Sequence, residues 1–277
     1  MNPMRPPAYQ VVIRSLPFKK EAAAYALGCI MGARVRAVVH QATMLLDLRE
    51  TIRQQMFLGE YEPEQTGWFR ECLEPEDTAI DIGASFGYYT TLGSALVGPS
   101  GKVFAFEPSP VASQVIEEAI RDSGIRNIVL TIAAAGKANG SVPLHLPNSR
   151  SLHSPSIFYS DSDFSQVRVP MISLDCFEPQ KDVSKVKLVK IDVEGYEPDV
   201  LDGMEHLVRS RRIENVLCEF SSGWLVRNST TPKQLMDRFL ELEFDIRKQT
   251  TLQRLPKGKP GETFDLQDIW FWMKGLP

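Results

Sequence analysis

The sequence has few of the residues that build metal centres and disulfide frameworks. Its 277 residues include four histidines and four cysteines, and the cysteines are widely separated, with no Cys-x-x-Cys pair. They are Cys29, Cys72, Cys176 and Cys218. This spacing argues against a zinc site or a disulfide framework and favours unpaired thiols in a reducing compartment, so we expect a cytoplasmic protein.

Basic residues are not in excess, and long apolar runs are absent. There are 31 lysines and arginines against 35 acidic residues, which gives a net charge of −4. No basic cluster is interleaved with aromatic residues, so a nucleic-acid partner is not expected. The apolar stretch over residues 22–33 is too short to span a bilayer. We therefore expect no membrane partner either.

A glycine-bearing turn is the most informative feature present. Asp81-Ile82-Gly83-Ala84-Ser85-Phe86-Gly87 follows an apolar strand and precedes a helix-like segment. Such a turn lets the backbone approach a nucleotide-like ligand closely. The spacing Asp-x-Gly-x-x-x-Gly differs from the phosphate-binding Gly-x-Gly-x-x-Gly. An acidic strand end suits an ammonium group, which favours S-adenosylmethionine over NAD or ATP. The alternative is that Gly83 and Gly87 simply permit a tight turn.

A second acidic strand end lies at Glu107, which is followed by Pro108. Glu107 stands 24 positions after Gly83, close to the spacing at which an acidic residue holds a ribose diol. A carboxylate can accept hydrogen bonds from two hydroxyls at once. The alternative is a solvated carboxylate without a ligand.

Alternating strand and helix patterns predict an α/β fold with a mostly parallel sheet and helices on both faces. The predicted strands cover residues 78–82, 102–107, 127–133, 185–192, 214–220, 244–247 and 269–273. Residues 46–277 are assigned to this domain and residues 1–45 to an N-terminal extension. The extension is predicted to hold one short helix over residues 22–32, with residues 1–19 extended or loosely attached.

A polar insertion over residues 137–170 interrupts the alternation. Residues 147–166 contain seven serines and few apolar residues. A polar segment of this length could close over the acceptor as a lid, which would make His153 a candidate base. The alternative is a mobile surface loop with an exposed histidine.

Lys190, Asp192 and Glu194 form an acidic strand end at the predicted ligand-binding edge of the sheet. They share one parity and would project to the same side if the strand stays extended. We predict Asp192 as the general base or acceptor anchor, with Glu194 supporting it and Lys190 orienting the pair. One alternative is a divalent-cation site formed by Asp192, Glu194 and Glu219. Another is that Glu194 and Glu197 only stabilise a helix start.

Together these motifs resemble the FkbM family of S-adenosylmethionine-dependent methyltransferases. Other matching segments are Gly59-Glu60-Tyr61-Glu62, Ser173-Leu174-Asp175 and Lys190-Ile191-Asp192-Val193-Glu194-Gly195-Tyr196-Glu197. The resemblance implies a Rossmann-like class I methyltransferase fold with seven strands, the last antiparallel. It also implies cofactor contacts at Asp81, Gly83, Ser85, Gly87 and Glu107, with Ala134 near the adenine and Glu62 near the methionine end. Ser85 stands where the family usually has asparagine.

The resemblance also implies a reaction. Members of the family typically methylate hydroxyl groups of sugars and secondary metabolites, so we predict an O-methyltransferase with a small-molecule acceptor and no metal. Two alternatives stay open. One is an N-methyltransferase acting on an amine, and the other is a nucleotide-binding α/β dehydrogenase.

Overall fold

The structure is a computed structural model that describes residues 5–32, 34–147, 164–177, 184–256 and 263–275. The helices are α1 (Ala8–Arg14), α2 (Lys20–Met31), α3 (Thr51–Leu58), α4 (Pro63–Cys72), α5 (Tyr88–Val97), α6 (Pro110–Ser123), α7 (Glu197–Asp202), α8 (Glu205–Arg209), α9 (Ser222–Leu225) and α10 (Pro232–Glu241). The strands are β1 (Val35–Val39), β2 (Ala42–Leu46), β3 (Thr78–Ile82), β4 (Lys102–Phe106), β5 (Ile128–Thr131), β6 (Ala134–Ala135), β7 (Gly140–Pro147), β8 (Phe164–Ile172), β9 (Val186–Ile191), β10 (Ile213–Ser221), β11 (Phe244–Gln249), β12 (Gln253–Pro256) and β13 (Thr263–Met273).

The central sheet has the strand order β11-β13-β10-β9-β3-β4-β5, and β12 pairs with β13 beside this path. Strands β10, β9, β3, β4 and β5 run parallel to one another, whereas β13 runs antiparallel to both β10 and β11. This confirms the predicted fold class, including the antiparallel last strand. The order reverses between β3 and β9, which is where ligands bind in open α/β sheets.

Side chains alternate between two apolar cores, one on each face of the sheet. Leu188, Leu217 and Trp270 pack on the face covered by α4, α5 and the N-terminal elements. Val189, Cys218 and Phe271 pack on the opposite face, where Phe239 of α10 stacks on Phe271 with ring centroids 4.0 Å apart. Because both faces of the sheet are buried, its central strands read as nearly continuous apolar runs.

The N-terminal residues are more ordered than the sequence predicts. Residues 8–14 form α1, so the prediction of an extended segment over residues 1–19 is wrong there. The side chain of Gln10 is buried, accepts a hydrogen bond from the Val38 N–H and donates to the Val38 and Phe57 carbonyls. These bonds fasten α1 to β1 and α3. Strands β1 and β2, which are not among the predicted strands, pair antiparallel in a separate two-stranded sheet.

The division into two parts at residues 45 and 46 stays a prediction, and in the structure that boundary falls inside β2. The helical segment that follows β9 is interrupted at Gly203. A Cβ atom there would lie 2.0 Å from the Gly136 carbonyl oxygen, because the two backbones touch. This contact separates α7 from α8.

The polar insertion is anchored by paired strands. β7 pairs antiparallel with β8, and β8 also pairs with β6, which gives a separate three-stranded sheet. Residues 148–163, including His153, lie outside the described residues, so the lid and the role of His153 stay predictions. Among the helices that the structure describes, none combines the length and hydropathy needed to cross a bilayer.

Candidate active site

The turn between β3 and α5 forms the floor of an open pocket. Gly83 has φ of +79°, and a Cβ atom on it would lie 1.8 Å from the Asp192 carbonyl oxygen. The glycine is therefore required by the close approach of the turns that follow β3 and β9. The N–H groups of Gly83 and Ala84 both donate to the Phe106 carbonyl at 3.0 Å. These bonds hold the turn against the end of β4.

Glu107 fixes the next part of the same turn. Its carboxylate accepts hydrogen bonds from the N–H groups of Ser85 and Ser109, each at 2.7 Å. Ser85 itself has φ of +50°, so this bond helps to hold a non-glycine residue in the left-handed region. Burial raises the pKa of Glu107 to about 7, although the two backbone hydrogen bonds oppose the rise. Glu107 thus positions the turn.

Asp81 lies at the base of this turn, inside the sheet, with 2% of its surface exposed. The Thr90 hydroxyl donates to one carboxylate oxygen at 2.6 Å. The other oxygen is buried and has no hydrogen-bond partner among the described residues. Burial raises the pKa of Asp81, and Lys190 and the Thr90 hydrogen bond oppose this rise. A buried acceptor without a donor is suited to a ligand that brings an N–H group.

Aromatic rings and one ion pair complete the pocket wall. The described residues that line it are Ile52, Met56, Tyr61, Gly83, Ala84, Ser85, Phe86, Tyr88, Tyr89, Lys190 and Asp192. Tyr88 packs edge-on against Tyr61 and Tyr89, with ring centroids 4.9 and 5.2 Å apart. The Tyr89 hydroxyl donates to Glu62 at 2.6 Å. Glu62 is thereby tied to the wall, although it is not itself a lining residue.

Lys190 and Asp192 form an ion pair at the end of β9. The Lys190 Nζ atom lies 2.8 Å from the Asp192 carboxylate and 4.8 Å from the Tyr89 ring centroid. Burial lowers the pKa of Lys190, but Asp192, Asp81 and Glu62 outweigh it, so the net pKa is raised and the lysine stays charged. Asp192 keeps 28% of its side chain exposed, whereas Lys190 keeps 6%. The lysine is therefore an internal counter-charge, and the carboxylate faces the pocket.

The sheet register extends this site into a row of carboxylates. Asp192 and Glu219 each come one residue after a paired position, Ile191 and Cys218, and Glu219 pairs directly with Asp268 across β10 and β13. We call Asp192, Glu219 and Asp268 the carboxylate row. Residues directly opposite on paired strands share a face, so the three side chains lie on the face that carries Lys190.

Burial and mutual repulsion raise the pKa values of two members of the carboxylate row, Glu219 and Asp268. Burial raises the pKa of Glu219 well above its ordinary value, and the charges of Asp192, Glu194 and Asp268 raise it further. Burial also raises the pKa of Asp268 to about 7, with Glu62 adding to the rise and the hydrogen bond from Gln65 opposing it. The Gln65 amide donates to Asp268 at 2.6 Å. Near neutral pH Asp268 can therefore both accept and release a proton.

Two of the predicted site residues lie apart from this arrangement. Glu194 does not continue the parity of Lys190 and Asp192, because β9 ends at Ile191 and Glu194 has φ of +52°. The assumption of an extended strand is therefore wrong at this position. Ala134 is buried in the small sheet, where it pairs with Met171, and it does not line the pocket. Among the described residues no group of three His, Cys, Asp or Glu side chains has metal-binding geometry.

Sequence reasoning missed Tyr61, Tyr89, Thr90 and Asp268. Asp268 comes one residue before the predicted start of the last strand, and it shares the parity of Trp270. The signal available for Asp268 was its position: an acidic residue stands where the inward-facing side of the predicted strand continues. Without the pairing of β13 with β10, nothing in the sequence connected it to Glu219.

Comparison with known proteins assigns the chain to a family. Residues 81–246, more than half of the chain, match the model of the methyltransferase FkbM domain. The chain belongs to the FkbM methyltransferase family. This confirms the predicted family: the chain contains a methyltransferase domain, and its cofactor is S-adenosylmethionine.

Two characterised relatives match part of the chain. A protein-L-isoaspartate O-methyltransferase of Aeropyrum pernix is 30% identical over 90 residues, which are 32% of this chain and 34% of that protein. A hexuronic acid methyltransferase of Haloferax volcanii is 26% identical over 154 residues, which are 55% of this chain and 59% of that protein. The chain thus covers less than two thirds of the length of either relative.

Solved structures with a related fold include a SAM-dependent O-methyltransferase from Thermotoga maritima, at 14% identity and a TM-score of 0.44. The match covers 87% of this chain and 78% of that one. A precorrin-6y C5,15-methyltransferase from Geobacter metallireducens has 14% identity and a TM-score of 0.43, covering 76% and 88% of the two chains.

The site of this FkbM protein offers hydrogen-bond acceptors that fit the donor groups of S-adenosylmethionine. The unpartnered oxygen of Asp81 can accept from the ammonium group, and Glu107 can accept from ribose hydroxyls. The surrounding carboxylates favour a ligand with net positive charge. Aromatic rings next to a cation add a further attraction, and Tyr61, Tyr88 and Tyr89 supply them.

Proposed function

We propose that the protein is an O-methyltransferase that transfers a methyl group from S-adenosylmethionine to a hydroxyl of a small molecule, such as a sugar or a secondary metabolite. The observation that supports this proposal is the pocket-facing Asp192 carboxylate, paired with a buried Lys190 at the carboxyl end of β9. A neutral hydroxyl is a weak nucleophile, and a positioned carboxylate is the group that it needs.

The residues proposed to hold the cofactor are those around the β3 turn. Asp81 and Glu62 would receive its methionine end, Gly83, Ser85 and Gly87 would provide backbone surface, and Glu107 would hold the ribose. Ala134 near the adenine stays part of this proposal. When bound, the cofactor supplies a methyl group that is already activated by the sulfonium charge. The protein then has to orient the acceptor, and orientation of this kind is worth roughly 7–11 kcal/mol.

Asp192 is the proposed general base. Its ion pair with Lys190 fixes the direction of the carboxylate, and the packing of Lys190 on Tyr89 fixes the lysine in turn. Asp192 would accept a hydrogen bond from the acceptor hydroxyl and take its proton. Glu194 would support Asp192 through charge, since it also acts on the neighbouring Glu219.

Asp268 is proposed to receive that proton next, relayed through Glu219. They adjoin Asp192 in the carboxylate row, and burial raises the pKa of Asp268 to about 7, so it exchanges protons near neutral pH. The row also offers several acceptors for a polyol, which favours a sugar. The net charge of −4 disfavours a phosphate-rich acceptor, which supports a small molecule over a nucleic acid. The cytoplasmic location stays a proposal that rests on the scattered cysteines.

The test is Asp192→Asn, which keeps the side-chain shape and removes the base. We expect turnover on a hydroxyl acceptor to fall about 10²–10⁴-fold, because that is the usual contribution of a positioned base. The affinity for S-adenosylhomocysteine, measured by calorimetry, should stay nearly unchanged. A panel of sugars and hydroxylated metabolites identifies the acceptor by transfer of a labelled methyl group.

Normal turnover of the asparagine variant would contradict the assignment of the base. If the accepted substrates are amines and their rate does not depend on Asp192, the N-methyltransferase alternative replaces this proposal. The dehydrogenase alternative would require thermal stabilisation by NAD and not by S-adenosylhomocysteine. Membership of the FkbM family already argues against that alternative.

A further inference from the structure

The outer sides of α1 and α2 expose apolar side chains that no described residue covers. Of fourteen large hydrophobic residues exposed in the described part of the chain, seven lie between positions 11 and 31. We call them the N-terminal apolar face: Val11, Val12, Leu16, Phe18, Tyr25, Ile30 and Met31. Phe18 and Ile30 are 80% and 82% exposed. Such a concentration on one part of a surface marks an interaction site.

Helix α2 is apolar on every side. Between residues 22 and 31 it has no charged side chain. Its inner side is buried through Ala24 and Gly28, and Gly28 packs so closely that a Cβ atom would lie 3.1 Å from the Leu48 Cβ. Its outer side exposes Tyr25, Cys29 and Ile30, of which Tyr25 and Cys29 lie one helical turn apart. A helix of this composition is normally covered on its outer side too.

Helix α1 continues the same surface. Its inner side is fixed by Gln10 and Ile13, so Val11 and Val12 point outward. It contacts both α2 and α3. The turn between α1 and α2 adds Leu16 and Phe18. The outward apolar positions therefore belong to a pair of packed helices and not to a loose terminal segment.

The charge around this face has the opposite sign to that of the whole chain. Residues 5–36 contain six basic side chains and one acidic one, Glu21, although the chain carries a net charge of −4. The basic residues are Arg5, Arg14, Lys19, Lys20, Arg34 and Arg36. Lys20 pairs with Glu60 and Arg34 with Glu118. Arg5, Lys19 and Arg36 have no ion-pair partner within the described residues. Basic residues thus flank the apolar helix α2 at both ends.

We infer that the N-terminal apolar face lies on an anionic lipid bilayer. Binding to a membrane surface draws on the apolar area that is buried and on the attraction of nearby Lys and Arg to acidic lipids. α2 is too short to span the bilayer, so the helices lie on it. This inference departs from the sequence expectation of no membrane partner. It also places the pocket beside the bilayer, because α3 contacts α2 and lines the pocket through Ile52 and Met56.

Charge argues against a second copy of the chain as the partner of this face. A two-fold contact would bring the face of one copy against the same face of the other. The basic residues around it, Lys19 and Arg36 among them, would then be concentrated in one interface. Like charges that face each other across an interface oppose association. A bilayer with acidic headgroups removes this repulsion and also covers the apolar side chains.

The test is co-sedimentation of the full chain with vesicles. We expect binding to vesicles made of equal parts phosphatidylcholine and phosphatidylglycerol, weaker binding at high salt, and little binding to phosphatidylcholine alone. Ile30→Asp should lower the bound fraction about tenfold or more, since it puts a charge into the apolar contact. Leu240→Asp is the matched control, because Leu240 is an exposed leucine on α10, and it should bind like the wild type.

A second pair of variants tests the electrostatic part. Lys19→Gln combined with Arg36→Gln leaves the apolar face intact and should weaken binding to the anionic vesicles severalfold. Calorimetry with S-adenosylhomocysteine checks that the variants keep a folded pocket. Failure of the wild-type chain to bind anionic vesicles would overturn the inference. So would a dimer in sedimentation velocity that Ile30→Asp dissociates while vesicles have no effect. Neither result would count against the proposed methyltransferase activity, which is tested separately.

Discussion

At the scale of single residues, each acidic side chain around the pocket has a different environment. Glu107 accepts two backbone N–H groups, Asp192 faces a buried lysine, and Asp81 has one oxygen satisfied and one without a partner. The same functional group can therefore position a loop, take a proton or bind a cation. What distinguishes these roles is the partner of each oxygen atom, together with burial.

Asp81→Asn tests the role of the unpartnered oxygen. We expect the affinity for S-adenosylmethionine to fall about 10–100-fold, because a hydrogen bond to a charged group is worth about 1.5–3 kcal/mol. Calorimetry measures this directly. Thr90→Val is the control, since it removes the donor to the other oxygen and should leave the ammonium contact in place. An unchanged affinity of the asparagine variant would show that Asp81 serves the sheet and not the ligand.

At the scale of elements, the site depends on how closely two turns approach. The turn after β3 and the turn after β9 meet where Gly83 touches the Asp192 carbonyl. The same contact places the Asp192 side chain beside the pocket. The glycine turn and the acidic strand end are thus two halves of one structural unit, although more than 100 residues separate them in the chain.

Gly83→Ala should break this contact. The added methyl group cannot fit 1.8 Å from an oxygen atom, so one of the turns has to move, and both stability and cofactor binding should fall. Gly98→Ala is the matched control: Gly98 also has positive φ, but a Cβ atom there would meet nothing within 4 Å. Backbone strain alone costs about 1–3 kcal/mol. Thermal unfolding and calorimetry should show a larger loss at Gly83, and equal losses would contradict the contact argument.

At the scale of the whole molecule, the fold keeps several carboxyl groups protonated near neutral pH. Burial raises the pKa of both Glu107 and Glu197 from 4.5 to about 7. The folded state then binds more protons than the unfolded state between these values. The stabilisation is complete below the unfolded pKa and is lost as the pH rises through the folded one.

We therefore expect the free protein to become less stable as the pH is raised from about 5 to about 8. Thermal unfolding across this range should show a falling midpoint. Glu197→Gln should make the dependence shallower, because glutamine can still accept from the Val193 and Gly195 N–H groups and does not ionise. A midpoint that rises with pH over this range would show that buried carboxyl groups do not control the stability.

The local sequence was enough to predict the seven main strands of the central sheet, their mostly parallel arrangement and the turn from Asp81 to Gly87. These features depend on residues close together in the chain: an apolar run, a glycine that tolerates positive φ, and an acidic strand end. Glu107 could also be predicted, because a strand and its following turn fix its position at the edge of the sheet. The family resemblance followed from the same short motifs.

Only the tertiary structure decided which side chains meet. Asp268 joins Glu219 because β13 pairs antiparallel with β10, and no local pattern encodes that register. Glu194 lies outside the row because its backbone has a positive φ and is no longer extended, and α1 is ordered because Gln10 finds partners on β1 and α3. Local propensity acts through neighbours in the chain, whereas these contacts arise when distant strands and helices pack on one core.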